Sequence, residues 1–489
     1  MFHDRNSARE LVAALPRGLY IDGAWRESST GASFPVHDPA DATVLTEVAD
    51  ASLDDAMDAL TAAHATQDAW GATTSRFRAE LLRRAFGRII ERTEDFAALI
   101  SLEMGKPLAE ARGEVAYGAE FLRWFSEQAA HLTGSYAPAP NGGYRIVTTK
   151  VPVGPSLLIT PWNFPLAMAT RKIGAALAAG CTCVVKPAPQ TPLTLALLTQ
   201  IFHELEVPAG VVNYVPTLDA AALSLALMSD ARLRKVSFTG STGVGSILLR
   251  QAADRVLRTS MELGGNGPFV VFDDADLDAA VDGAMLAKMR NAGESCVAAN
   301  RFLVHSDIAE EFTVRLVRRF EGLVAGDAFD PASTVGPLID EAQLAKVTDL
   351  VDDAVAQGAR LRTGGKTFGG DGHFFQPTVL TDVPDTARLA YEEIFGPVAA
   401  ITTFDTEEQA LARANDTEYG LAGYVYTRDI SRALRFAERL ETGMVGVNRG
   451  LVSDPGGPFG GVKASGQGRE GGATGIEEYL ETKYLAVEM

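Results

Sequence analysis

From residue 156 onward the chain alternates short apolar, β-rich runs with longer amphipathic stretches, and this alternation constrains its fold more than any other feature. Strands are expected at 156–160, 181–186, 211–215, 235–240 and 258–263, with helices near 167–179, 191–205, 218–229 and 244–255. Short apolar strands joined by helices are buried on both faces, as in parallel βαβ crossovers. A doubly wound α/β sheet is therefore predicted, and such sheets bind ligands beyond the carboxyl ends of their strands. The unusual residues of this chain collect there. A second α/β section runs from about 268 to 450, through PFVVF, a helix from Ala275, RFLVH, a helix from Ile308, and later strands at AAITTF and AGYVYT.

Three helical stretches precede the alternation, at 54–70, 75–108 and 114–134, the middle one with apolar spacings of three and four. A Pro/Gly-rich passage, APAPNGG at 137–143, leads into YRIVTTKVPVG, which reads as a strand leaving the main body. The tail, GIEEYLETKYLAVEM, ends in a similar alternation that can pair with the excursion at 141–154. Two such strands, far apart in sequence, predict an arm that grips another subunit.

Lys and Arg number 44 against 63 Asp and Glu, a formal charge of −19, and no basic stripe interrupts the acidic surface. Nucleic acid is thereby excluded as a partner. No apolar run reaches the ~18 residues of a membrane span. The three cysteines, Cys181, Cys183 and Cys296, are odd in number and fit no metal or redox spacing. No disulfide framework and no metal site are expected, and a reducing compartment fits best. The amino terminus lacks an apolar signal region, so the cytoplasm is the expected location.

An isolated cysteine is most often a buried small hydrophobe, and Cys181 and Cys183, within a strand pattern, read that way. Cys296 differs because Gly293, Glu294 and Ser295 place it in a loop or helix end, where backbone N–H groups can stabilise a nucleophilic thiolate. Glu262 ends an apolar strand 34 residues earlier, and a carboxylate there points into the ligand crevice with a raised pKa, as a general base requires. Asn163, in TPWNFP, is either a turn residue or an amide that donates to a developing oxyanion. In FTGSTGVG, Gly240, Gly243 and Gly245 lie between strand and helix, a phosphate-cradling arrangement, although not the dinucleotide fingerprint. Lys186 ends its strand, as a ribose or phosphate partner or as a snorkelling surface lysine.

Taken in order, TPWNFP, VVKPA, FTGST-VG, ELGGN, GESC, EEIFGP and PFGG-K-SG-GRE resemble the aldehyde dehydrogenase superfamily along almost the whole chain. The resemblance implies a Rossmann-type cofactor domain (1–135 and 153–264), an α/β catalytic domain (265–468) and a small β-arm oligomerisation domain (136–152 and 469–489) forming a homo-dimer or homo-tetramer. It implies Cys296 as nucleophile, Glu262 as the base for deacylation, and Asn163 with the Cys296 N–H as oxyanion hole. For the cofactor it implies Lys186 on the adenosine ribose, Ser241 at the pyrophosphate, Glu393 and Phe395 beside the nicotinamide ribose, and Trp162, Gly240, Gly245 and Leu263 around them.

Within the superfamily the chain is most similar to succinate-semialdehyde dehydrogenases. Arg171, Arg290 and Ser453 match the residues that family uses for the distal carboxylate, which implies NAD(P)-dependent oxidation of succinate semialdehyde to succinate. Structural ion pairs are the other reading of the two arginines. The competing functions are oxidation of glutarate semialdehyde or a neutral aldehyde, a CoA-acylating reaction, which Glu262 disfavours, and a non-catalytic binding role. Pro189 stands where many NAD-preferring relatives carry Glu, so NADP is expected as the better cofactor, with NAD weaker. Ala298 replaces the second cysteine of members with a redox-switch disulfide. Met289, Gly267, Pro216 and Thr217 also depart from the usual pattern.

Overall fold

The computed structural model describes residues 5–488. Its first sheet has eight strands, in the spatial order Ala24–Arg26, Leu19–Ile21, Val212–Tyr214, Cys183–Lys186, Ser156–Ile159, Lys235–Thr239, Arg258–Glu262 and Gly466–Gln467. The five central strands are parallel and are those predicted from the alternation, each trimmed by a residue or more at its ends. Their register sets Lys186 beside Ile159 and Thr239 beside Glu262, so the chemistry-bearing positions follow one carboxyl edge.

The second sheet has seven strands, ordered Arg360–Thr363, Thr378–Thr381, Val398–Phe404, Ala299–His305, Gly267–Val271, Ala422–Tyr426 and Met444–Val447. Only the first pair is antiparallel. Cys296 precedes Ala299–His305 and so lies at the amino edge of this sheet, not at a carboxyl edge. Gly264 and Gly265, which follow Glu262, join the two edges: a Cβ on Gly265 would sit 2.4 Å from the Cys296 carbonyl oxygen. Only glycine permits that approach.

A third, three-stranded sheet joins the tail to the strand excursion at 141–154. Leu480–Glu488 pairs antiparallel with Tyr144–Pro152 over its full length, and Ser135–Pro138 completes it. Beyond Leu480 the tail strand is exposed.

Two of the predicted helices differ from the sequence reading. The stretch expected as one helix at 75–108 is Ser75–Glu91 and Thr93–Met104, broken at Arg92 (φ −105°, ψ 26°). There the Thr93 hydroxyl donates to the Ile90 carbonyl at 2.7 Å, a local bond that competes with the helical ladder. The helix expected at 114–134 is Leu108–Ala129, which begins one residue after Pro107. The helix Arg5–Ala14 and the hairpins Leu19–Ile21/Ala24–Arg26 and Ser33–His37/Val44–Ala49 were not anticipated.

Candidate active site

The helix Leu277–Met289 is followed by three consecutive residues at positive φ, Asn291 (55°), Ala292 (51°) and Gly293 (79°). A Cβ on Gly293 would lie 2.2 Å from the Gly396 carbonyl oxygen. The turn delivers Glu294, Ser295 and a half-buried Cys296.

Asn163 arrives from the first sheet. Its carbonyl accepts from Lys106 Nζ at 2.9 Å and from Asn291 Nδ2 at 3.0 Å. Glu114, ion-paired to Lys106, also accepts from the backbone N–H groups of Leu166 and Ala167, capping the helix Pro165–Ala179. The Asn163 amide donates one N–H to the Glu294 carbonyl at 3.1 Å. Its second N–H remains for another acceptor, and no acceptor pairs with the Cys296 backbone N–H among the described residues. Both N–H groups are thus free of a protein acceptor among the described residues.

Burial pushes the Cys296 thiol up to about 12, outweighing the pull of Arg171 and Arg290 toward the anion. Cys181 and Cys183 are fully buried, as expected, and burial raises both thiols further from reactivity. Glu262 is buried, with Oε2 lacking a hydrogen-bond partner, and burial together with the Glu470 carboxylate holds it well above the usual carboxylate range. Burial also acts against the charge of Glu470, but Arg171 and Lys172 outweigh it and keep that carboxyl low. Lys172 further donates to Ser237 Oγ at 2.9 Å.

On one side of Cys296 lies a cavity of about 230 Å³ lined by Trp162, Asn163, Gly240, Ser241, Leu263 and Glu393, with Phe395 and Cys296. It unites eight of the predicted residues. Trp162 and Phe395 meet edge to face at 5.3 Å. Glu393 accepts from the Gly265 N–H at 3.0 Å, and burial raises it to about 7. Thr239 Oγ1 is buried without a partner, and Gly243 faces open space at the start of the helix that Ser241 caps. Lys186 is buried rather than snorkelling, and burial lowers it to about 8, with no carboxylate in an ion pair with it among the described residues. Gly245 contributes by packing: a Cβ there would lie 2.4 Å from Leu263 Cδ2. An orphan hydroxyl, an uncompensated lysine and a bare helix start fit a dinucleotide carrying phosphates. The sequence reading missed Gln343 and Lys346 in the same wall. Gln343 Nε2 holds the Phe395 carbonyl at 2.7 Å.

A second cavity, about 790 Å³, is lined by Arg290, Ser453, Tyr117, Phe164 and Glu110, among others. Arg290 lies over the rings of Phe164 (4.6 Å) and Tyr117 (5.4 Å), and no carboxylate forms an ion pair with it among the described residues. Tyr117, whose hydroxyl meets Ser453, had no sequence signal. Arg171 does not line this cavity. It is fully buried, ion-paired to Glu470 and 4.2 Å from the Phe459 ring centroid, with Nη1 unpartnered.

Fold and site together define an NAD(P)-dependent oxidoreductase acting on aldehydes through a cysteine nucleophile. The model of the aldehyde dehydrogenase family matches residues 25–485, and the chain belongs to that family. It is 57% identical to a succinate-semialdehyde dehydrogenase of Paenarthrobacter nicotinovorans over 444 residues, covering 91% of this chain and 99% of the relative. It is 46% identical to a glutarate-semialdehyde dehydrogenase of Pseudomonas putida over 470 residues, 96% of this chain and 97% of that one. The crystal structure of a succinate-semialdehyde dehydrogenase from Burkholderia pseudomallei superposes with a TM-score of 0.96 at 46% identity, covering 98% of this chain and 99% of the other.

Proposed function

We propose that this enzyme oxidises succinate semialdehyde to succinate, with NADP preferred over NAD. The observation that carries the substrate is Arg290, a guanidinium in no ion pair among the described residues, which lines a cavity and lies within electrostatic range of Cys296. Arg290 is half-buried, and a substrate carboxylate would supply a bidentate partner for its guanidinium. Tyr117 and Ser453 add hydroxyl donors on the same wall.

In this reading Arg171 and Arg290 favour ionisation of Cys296, whose sulfur attacks the aldehyde carbon and forms a thiohemiacetal. Asn163 Nδ2 and the Cys296 N–H stabilise its oxyanion. NADP, held by Lys186, Ser241, Glu393 and Phe395 with Trp162, Gly240 and Leu263 around it, supplies the two-electron acceptor. The resulting acyl group stays on Cys296 as a thioester. Glu262 takes a proton from water, the water oxygen attacks the thioester carbon, and the carboxylic acid leaves as the thiol reforms. Division of the oxidation into acylation and deacylation replaces one difficult step with two easier ones.

NADP preference is supported by a buried Lys186 and by Pro189, which offers no carboxylate to repel a 2′-phosphate. Residues 1–135 with 153–264 are assigned to the cofactor domain, 265–468 to the catalytic domain, and 136–152 with 469–489 to the arm. The exposed arm sheet supports a homo-dimer or homo-tetramer. Three free cysteines support a cytoplasmic location. Among the described residues no helix is long and apolar enough to cross a membrane.

The 46% identity to a glutarate-semialdehyde dehydrogenase supports glutarate semialdehyde as the second reading. A panel of aldehydes of four and five carbons, with and without a terminal carboxylate, tested with both cofactors, separates these readings. The highest kcat/KM is expected for succinate semialdehyde with NADP. Equal values for the neutral aldehydes would overturn the substrate class.

A further inference from the structure

We infer that Asn291 is a positioning residue whose side-chain amide ties the Cys296 loop to Asn163. The inference rests on the reading of Cys296 as nucleophile and Asn163 as oxyanion donor. Asn291 lines neither cavity, so it acts through those two residues.

The loop has an unusual backbone. Asn291 (φ 55°, ψ 45°) and Ala292 (φ 51°, ψ 26°) both occupy the left-handed region that residues bearing a Cβ rarely adopt. Asparagine tolerates it better than most, but alanine has no such preference. Two adjacent residues of this kind persist only where the surroundings over-determine them.

Those surroundings are visible. Glu110 Oε2 accepts the Asn291 backbone N–H at 2.8 Å, from the helix Leu108–Ala129. Asn291 Nδ2 donates to the Asn163 carbonyl at 3.0 Å and to the Glu294 carbonyl at 3.1 Å. The Glu294 carbonyl also accepts from Asn163 Nδ2. One amide therefore bridges two backbone segments from different sheets, and the Asn163 side chain closes the bracket. Asn163, Asn291 and Glu294 are each at most 3% exposed, so water cannot replace a lost donor. Both oxyanion donors depend on this bracket for their convergence: the Cys296 N–H lies two residues beyond Glu294, and the Asn163 amide is anchored on the Glu294 carbonyl.

The residue's two properties, tolerance of positive φ and a donating amide, are separable. Asn291→Gly keeps the first and deletes the second. Asn291→Asp keeps size and shape but turns carboxylate oxygens toward two carbonyls. If the amide is the working part, both variants lose kcat about a hundredfold, the scale of a misplaced reacting group. The aldehyde KM and the cofactor Kd, followed by quenching of protein fluorescence, stay within about threefold of wild type. A purely structural defect would move those too. Wild-type kcat in Asn291→Gly would overturn the inference, and should that variant fail to fold, wild-type kcat in Asn291→Asp does the same. Cys296→Ala in the same assay separates the two levels. If it is inactive and Asn291→Gly is fully active, only the bracket is wrong. If Cys296→Ala itself retains activity, the nucleophile assignment falls and the inference with it.

Discussion

Arg171 is ion-paired to Glu470, with both side chains out of reach of solvent. The pair divides the two arginines that the sequence groups together. Arg290 faces a cavity and forms no ion pair among the described residues, although Glu110 lies within electrostatic range, whereas the charge of Arg171 is shared with a carboxylate that also engages Lys172.

Arg290→Ala is predicted to lower kcat/KM for succinate semialdehyde about ten- to a hundredfold while sparing a neutral aldehyde of the same length. That range corresponds to a charge-assisted hydrogen bond worth about 1.5–3 kcal/mol. Arg171→Ala instead leaves Glu470 beside Glu262 with one cation fewer, so it should reduce activity toward both aldehydes and lower the thermal midpoint. Steady-state kinetics and a melting curve on the two variants check this. Selective loss in Arg171→Ala alone would reverse the assignment.

The resting thiol gives a pH prediction. With burial holding Cys296 up to about 12, the thiolate fraction at neutral pH is very small. Alkylation by iodoacetamide in enzyme free of cofactor should rise about tenfold per pH unit from about 7 to 10, in proportion to the thiolate. A plateau near the ordinary thiol value of about 8.5 would show that the thiol is not desolvated in this way.

Much of this site was legible in the sequence because its residues sit where apolar strands stop. Glu262 and Lys186 close strands whose apolar runs are bounded by glycine or proline, and the parallel register then sets them beside Thr239 and Ile159. The Cys296 loop was legible as a loop because Gly293, Glu294 and Ser295 interrupt an apolar pattern. Its burial was not, since that depends on packing between two sheets. Glu470 lies in the quoted GRE motif, but its pairing with Arg171 joins segments 299 residues apart (470 − 171), which no local pattern encodes. The break at Arg92 was hidden for the opposite reason. The apolar spacing continues through it, and only the Thr93 hydroxyl marks the change.

Pro189→Glu tests the cofactor reading. A carboxylate at this half-buried position would bind the ribose hydroxyls of NAD and repel a 2′-phosphate. The ratio of kcat/KM for NADP over NAD should fall at least about tenfold. An unchanged ratio would place the adenosine ribose away from Lys186 and Pro189.

The central claim is that the aldehyde is oxidised while bonded to Cys296 and released by Glu262. Mass spectrometry of Glu262→Gln, quenched after mixing with succinate semialdehyde and NADP, tests it most directly. Loss of the base should trap the thioester, so the account predicts one succinyl group per chain on the peptide containing Cys296, formed with a single burst of NADPH. An unmodified Cys296 with sustained turnover, or an acyl group on any other residue, would contradict it.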